Sequence, residues 1–224
     1  MNVILFGATG MVGQGVLREC LLDPDVQHIL PIVRTPSGQH HPKLRELVHS
    51  NFFDYSTIES ELTGLDACFF CLGVSSAGID EAKYTHLTYD LTLGAAATLA
   101  RLNPNMTFLY VSGAGTDSTE HGRTMWARVK GKTENALLKL PFRAAYMFRP
   151  GFIQPLHGIR SKTKLYQFFY TALKPILPLL KSAFPNSIIT TEELGRAMIN
   201  VAKHGYPNPI LQVPDIIRAA STAS

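Results

Sequence analysis

The sequence predicts an α/β fold built on a doubly wound parallel sheet, from three features. Short apolar runs of strand length recur along its 224 residues with helical stretches between them. The first run leads straight into a glycine-rich turn. That run, Asn2-Val-Ile-Leu-Phe6, is apolar throughout rather than alternating, as befits a strand buried on both faces. With 46% hydrophobic and 17% charged residues, the chain is globular and long enough for one sizeable core. A single domain over 1–224 is expected. Its core spans 1–153, and a small C-terminal helical lid with a closing helix and strand spans 154–224.

The turn reads Gly7-Ala8-Thr9-Gly10-Met11-Val12-Gly13, opening a helix near Met11 that ends at Asp23-Pro24. Gly7 permits the sharp turn, Gly10 lets backbone approach a pyrophosphate, and Gly13 lets the helix pack closely on the strand. Free N–H groups and the positive dipole end of the helix favour a dianionic ligand. The alternative is a tight strand–helix turn without a ligand; the strand before and the helix after weigh against it.

Strand two is expected at His28–Val33, with Arg34-Thr35-Pro36-Ser37 at its tip. An acidic residue at this position suits the ribose of NAD, whereas an Arg suits the 2′-phosphate of NADP. A guanidinium and two hydroxyls, with no carboxylate nearby, point to NADP. A short helix is expected over 42–49, then a strand at Asn51-Phe-Phe53 followed by Asp54. That carboxylate either meets the adenine amino group or caps the next turn, Ser56-Thr-Ile-Glu59, itself spaced as a capping box. Strand four, Ala67 to Leu72, leads to Gly73. Its Cys68 and Cys71, like Cys20, read as buried thiols, because residues three apart on a strand face opposite ways. Too few cysteines for a disulfide framework and no export leader before the first strand lead to the expectation of a reduced, cytoplasmic protein.

A long helix opens at Asp80-Glu81 and ends near Asn103-Pro104. Its small-residue run Gly94 to Ala97 suits close packing on the sheet or between two copies of the chain. Strand five, Thr107–Val111, delivers Ser112 to the carboxyl edge of the sheet. A helix carrying Trp126, Lys130 and Gly131 follows, then strand six, Ala144–Phe148, and Arg149-Pro150-Gly151-Phe152-Ile153. Ligands of doubly wound sheets gather beyond the carboxyl ends of the strands. Ser112, Lys130 and Gly151 are therefore expected around one crevice. Thr190 and Glu193 are spaced as a capping box, and Ile210 to Val213 closes the sheet.

Across nearly its whole length the chain resembles the atypical short-chain dehydrogenases/reductases, a Rossmann-type family with NmrA-like and epimerase-like branches, and most of all the Tat-interacting oxidoreductase-like branch. Gly7-Ala-Thr-Gly-x-x-Gly13, Arg34, Cys71-Leu-Gly73, Val111-Ser112, Val129-Lys130-Gly131 and Phe148-Arg-Pro-Gly151 carry the resemblance. It implies a cofactor crevice lined by Gly7, Thr9, Gly10, Met11, Val12, Gly13, Arg34, Thr35, Asp54, Cys71, Leu72, Gly73, Ser112, Lys130, Pro150, Gly151 and Ile153. In the superfamily a Ser after strand five polarises the substrate oxygen. A Tyr four residues before the Lys moves the proton, and the Lys binds the nicotinamide ribose and lowers the Tyr pKa. Ser112 and Lys130 match; the Tyr position is Trp126, whose indole N–H donates a hydrogen bond but exchanges no proton near neutral pH. Tyr110, His121 and His157 are the other proton-bearing candidates, none at the superfamily spacing.

Between Arg123 and Lys181, twelve basic residues stand against one acid, Glu134. This reads as a solvated basic face or as a field for an anionic substrate, a partner or an acidic membrane surface. No nucleic-acid-binding motif accompanies it. Leu165 to Phe184 is apolar at helical spacing but broken by Lys174, Pro175, Pro178 and Lys181. A kinked lid over the crevice is expected there, with weak membrane-surface contact as the lesser reading. The functional expectation is an NADP(H)-dependent oxidoreductase or epimerase-like enzyme on a small substrate. A catalytically weak redox sensor, regulator or assembly factor is the alternative that Trp126 raises.

Overall fold

The computed structural model describes residues 1–159 and 187–221. Leu165 to Phe184, the expected lid, therefore lies outside the described residues. Among these residues, seven strands form one sheet in the order β3-β2-β1-β4-β5-β6-β9. They are β1 (Asn2–Phe6), β2 (His28–Val33), β3 (Leu47–Val48), β4 (Ala67–Phe70), β5 (Thr107–Val111), β6 (Ala144–Phe148) and β9 (Ile210–Leu211). Every pair is parallel. The order reverses between β1 and β4, and sheets of this kind form their ligand crevice at the carboxyl ends of such a pair. A two-stranded parallel ladder, β7 (Phe152–Gln154) with β8 (Ile188–Thr190), lies beyond β6.

The apolar run of β1 is explained by what covers it. Val3 and Leu5 pack against α1 (Met11–Leu22), α5 (Thr191–His204) and α6 (Val213–Ser221). Ile4 and Phe6 join the opposite core, with Leu91, Ala95, Ala96 and Leu99 of α3 (Leu91–Leu102). Cys68 and Cys71 divide between these two cores, as their spacing requires. Ala95 and Ala96 are buried against the chain's own sheet. Thr190 and Glu193 form the expected capping box at the start of α5.

Several local expectations are corrected. Residues 42–49 hold a bridge at Leu44 and the strand β3 rather than a helix. Pairing with the open edge of β2 outweighs the helical spacing of Leu44, Leu47 and Val48. Asn51 to Phe53 is a turn, not a strand. The Ser56/Glu59 capping box does not form; the Asp54 carboxylate instead accepts the Ser56 N–H at 2.9 Å and starts a 3-10 turn (Ser56–Leu62). The long helix is α2 (Glu81–Thr85) continued into α3 through a π-type turn at His86–Asp90, which no spacing foretold. The last strand stops at Leu211, and Val213 already begins α6.

Candidate functional site

The glycine turn builds one half of the crevice from backbone. Gly7 has φ +83°, and a Cβ there would stand 2.7 Å from the Cys71 carbonyl group. Gly13 brings α1 so close that a Cβ would lie 2.0 Å from the Gly7 oxygen. Gly10 is different. Its φ of −82° suits any residue, and among the described residues a Cβ would meet only the Gly7 oxygen, at 3.3 Å. Gly10 is the N-cap of α1 without a side-chain cap, and the first turn holds no acidic residue. The Gln14 amide donates to the Thr9 carbonyl at 3.1 Å and fixes the turn from inside. Met11 and Val12, half-buried, present the first amides of the helix at this mouth. The result is an uncapped helix N-terminus aimed into the crevice, a setting that favours an anion.

At the tip of β2, Arg34 and Thr35 are exposed. The expectation of no carboxylate nearby is corrected. Glu46 reaches over from the start of β3, accepting the Ser37 N–H at 2.9 Å and the Ser37 hydroxyl. Asp54 is exposed, and the Ser56 N–H it accepts holds its carboxyl below the usual range. Beside it, Phe53 stacks on His86 with ring centroids 4.3 Å apart. Cys71 is half-buried and burial pushes its thiol up, as it does for Cys20 and Cys68. Leu72 packs partly into the core, and a Cβ at Gly73 would meet nothing within 4 Å among the described residues.

The other half of the crevice is made of charge. On α4 (Met125–Leu137), Trp126, Lys130 and Glu134 follow one another at four-residue spacing. Trp126 lies half-buried over Gly115, where a Cβ would stand 3.5 Å from its ring. The Lys130 ammonium donates to the main-chain oxygen of Ser112. Glu134 is completely buried. It accepts the Ser112 hydroxyl, and each of its oxygens accepts from Arg149 Nε at 3.1 Å. Phe148 O lies 3.1 Å from the same hydroxyl. Arg149 also donates to Ser118 of the loop that follows β5. That loop lies flush on α4, because a Cβ at Gly131 would be 1.7 Å from the Asp117 oxygen. Burial pushes the Lys130 amine down to about 8, with Glu134 pulling the other way.

Ser112 and Lys130 are thus brought together, and Ala114 N–H donates to the Pro150 carbonyl at 2.8 Å beside them. Gly151 is a packing glycine, since a Cβ would come within 2.6 Å of the Ser187 oxygen. Ile153 points into the core. Tyr110 is buried, as its strand position suggested. His121 is exposed, and His157 pairs with Glu192 at 2.8 Å. Of the described basic residues in the 123–181 stretch, Arg128 pairs with Glu81, Lys132 lies over the Tyr89 ring, and Arg143 bonds Thr107. Sequence reasoning gave no role to Glu134 or Arg149. The available signal was that Glu134, the one acid in that stretch, stands one helical turn beyond Lys130. Among the described residues no cluster suits a metal ion, and no helix is long and apolar enough to cross a membrane.

No family model matches the chain. It is 30% identical over 210 residues to the protein named fmp52, mitochondrial, of Emericella nidulans, covering 89% of this chain and 86% of that one. Similarity of 25% over 213 residues extends to the Candida albicans protein of that name, with 92% and 89% covered. The Saccharomyces cerevisiae protein is 27% identical over 168 residues, with 73% and 69% covered. All three are named mitochondrial, and this overturns the expectation of a cytoplasmic protein. Among solved structures, a short chain dehydrogenase/reductase of Saccharomyces cerevisiae superposes with a TM-score of 0.66 at 15% identity, over 99% of this chain and 98% of that one. A dTDP-glucose 4,6-dehydratase of Streptomyces venezuelae, with NAD bound, gives 0.65 at 14% identity over 98% and 80%. The fold is that of the short-chain dehydrogenases/reductases, as the sequence motifs implied.

Proposed function

The chain belongs to the FMP52 family, and on that premise we propose that it is a nicotinamide-dinucleotide oxidoreductase that prefers NADP(H) and acts on a small carbonyl substrate. The observation that carries this reading is the glycine turn. An uncapped N-terminus of a twelve-residue helix faces the crevice, and Gly10 leaves a space there that the described residues do not fill. The residues present fit such a cofactor. The amides of Met11, Val12 and Gly13 would hold its pyrophosphate, Arg34 and Thr35 its 2′-phosphate, and Lys130 its nicotinamide ribose. When bound it supplies a hydride. Because Glu46 occupies the Ser37 hydroxyl, the preference for NADP(H) rests on Arg34 and Thr35 alone. The relatives' shared name supports a mitochondrial location.

Trp126 favours a second reading, a protein that binds NADP(H) and signals its redox state without turnover. Calorimetric titration with NADPH and NADH tests the first step of both. Tighter binding of NADPH is expected. Equal affinity, or tighter NADH, would sink the preference, and binding of neither would sink both readings.

A further inference from the structure

Resting on the NADP(H) reading above, we propose that Lys130 is itself the acid that meets the oxygen of a carbonyl substrate, where Trp126 has removed the phenol. Glu134 and Arg149 are positioning residues that hold it there through Ser112.

The geometry excludes the obvious alternative first. A hydroxyl has one proton, and that of Ser112 is donated to a buried carboxylate, a charge-assisted bond in a residue only 6% exposed. The carboxylate is fixed in turn by the Arg149 fork. The Ser112 hydroxyl is therefore spent on structure, and what Ser112 presents to Lys130 is its main-chain oxygen. That oxygen is the hydrogen-bond partner of Lys130 among the described residues. An ammonium carries three N–H donors, so two remain. The side chain is half-buried one helical turn from Trp126, at the carboxyl edge of β5 where ligands of such sheets gather.

The ionisable groups of the neighbouring elements are engaged or displaced in other ways. Glu134 on its own helix and Arg149 beyond β6 neutralise each other as a buried pair. Tyr110 on β5 and Tyr84 on α2 are buried phenols pushed up by desolvation, and Cys71 beyond β4 is a thiol pushed up likewise. His121 stands on an exposed loop, and His157 is bound to Glu192. Of the groups on α4 and β5 named here, Lys130 is the one that burial brings toward neutral pH, down to about 8. A general acid works best with its pKa near the working pH.

The step balances with the reductant already named. As hydride from NADPH reaches the carbonyl carbon, the C=O electron pair moves to oxygen, which takes a proton from Lys130 Nζ. Lys130 is left as the neutral amine and is recharged from water. NADPH is oxidised and the carbonyl reduced to an alcohol.

Two measurements test this. In the cofactor-free protein, the lysine Nζ resonances are followed against pH by NMR, with Lys130 assigned through Lys130→Met. A midpoint near 8 is expected for Lys130, against an ordinary value of about 10.4. Glu134→Gln should move it lower still, because the carboxylate favours the ammonium. Turnover is then read as NADPH oxidation against quinones, aldehydes and ketones. The rate should fall about tenfold per pH unit above 8. Lys130→Met and Lys130→Arg should each lose on the order of 10²–10⁴-fold in kcat, beyond any change in NADPH affinity measured by calorimetry. The Arg variant keeps the charge and removes the titration. Titration at the ordinary lysine value, retained turnover in Lys130→Arg, or a wild type that binds NADPH but reduces nothing in the panel would each overturn the role of Lys130. All three would leave NADP(H) binding standing, and the third would favour the reading without turnover. Failure to bind either nucleotide would remove that reading, and the proposal with it.

Discussion

The two halves of the crevice are built on opposite principles. The half under β1 and α1 is made by leaving side chains out. Gly7 and Gly13 let backbone touch backbone, and Gly10 leaves room beyond it. The half under β5, α4 and β6 is made by putting charges in, with Glu134 fully buried and Arg149 nearly so. The first half is insensitive to pH and breaks when atoms are added. The second breaks when a charge is removed, because the partner left behind stays buried and unpaired. A site for holding a dinucleotide is therefore separable, residue by residue, from a site for moving a proton.

The largest expected effect falls on the charged half. Arg149→Met should cost about 3–5 kcal/mol by urea unfolding, since Glu134 would lose its counter-charge at zero exposure. Adding Glu134→Leu to Arg149→Met should recover much of that loss. If the double variant is no more stable than the single one, the pair is not an isolated charge balance and the comparison fails. In the backbone half, Gly13→Ala should cost about 1–3 kcal/mol or more, because its Cβ would lie 2.0 Å from an oxygen with no side chain to yield. A near-neutral result would show that α1 can move off the turn. Arg34→Ala sharpens the boundary, because the side chain is exposed at the tip of β2. It should weaken NADPH by about 1.5–3 kcal/mol in calorimetry and leave NADH unchanged. Smallest is Thr190→Ala, outside both halves. Loss of the N-cap of α5 should cost about 1 kcal/mol in stability and nothing in NADPH affinity.

The two halves were also unequally legible. The glycine turn, β1, β2, β5 and β6 follow from residues adjacent in the chain, where each glycine has a local reason. The charged half depends on partners far apart in sequence: Ser112, Glu134 and Arg149 come from three different elements. The Lys130–Glu134 spacing was visible, but the charge read as part of a surface field rather than as a buried anchor. Glu46 escaped notice for the same reason, because β3 brings it to Ser37 from nine residues away. At β3 itself a helical pattern yielded to edge pairing, a tertiary effect that local periodicity does not report. Asp54 took the capping role that Ser56 and Glu59 were spaced to fill. The π-type turn at His86–Asp90 left no trace in the pattern of apolar residues.

The central claim is that the space beyond Gly10 belongs to a dinucleotide and not to the fold. Gly10→Ala tests it directly, because its φ of −82° accepts alanine and its nearest protein contact, 3.3 Å, asks for a shift of a few tenths of an ångström. The measurement is NADPH affinity by calorimetry on a variant first shown by urea unfolding to lie within about 1 kcal/mol of wild type. The account predicts a loss of more than tenfold, about 1.4 kcal/mol, as the added methyl meets the pyrophosphate. A folded Gly10→Ala protein that binds NADPH as tightly as wild type would contradict it.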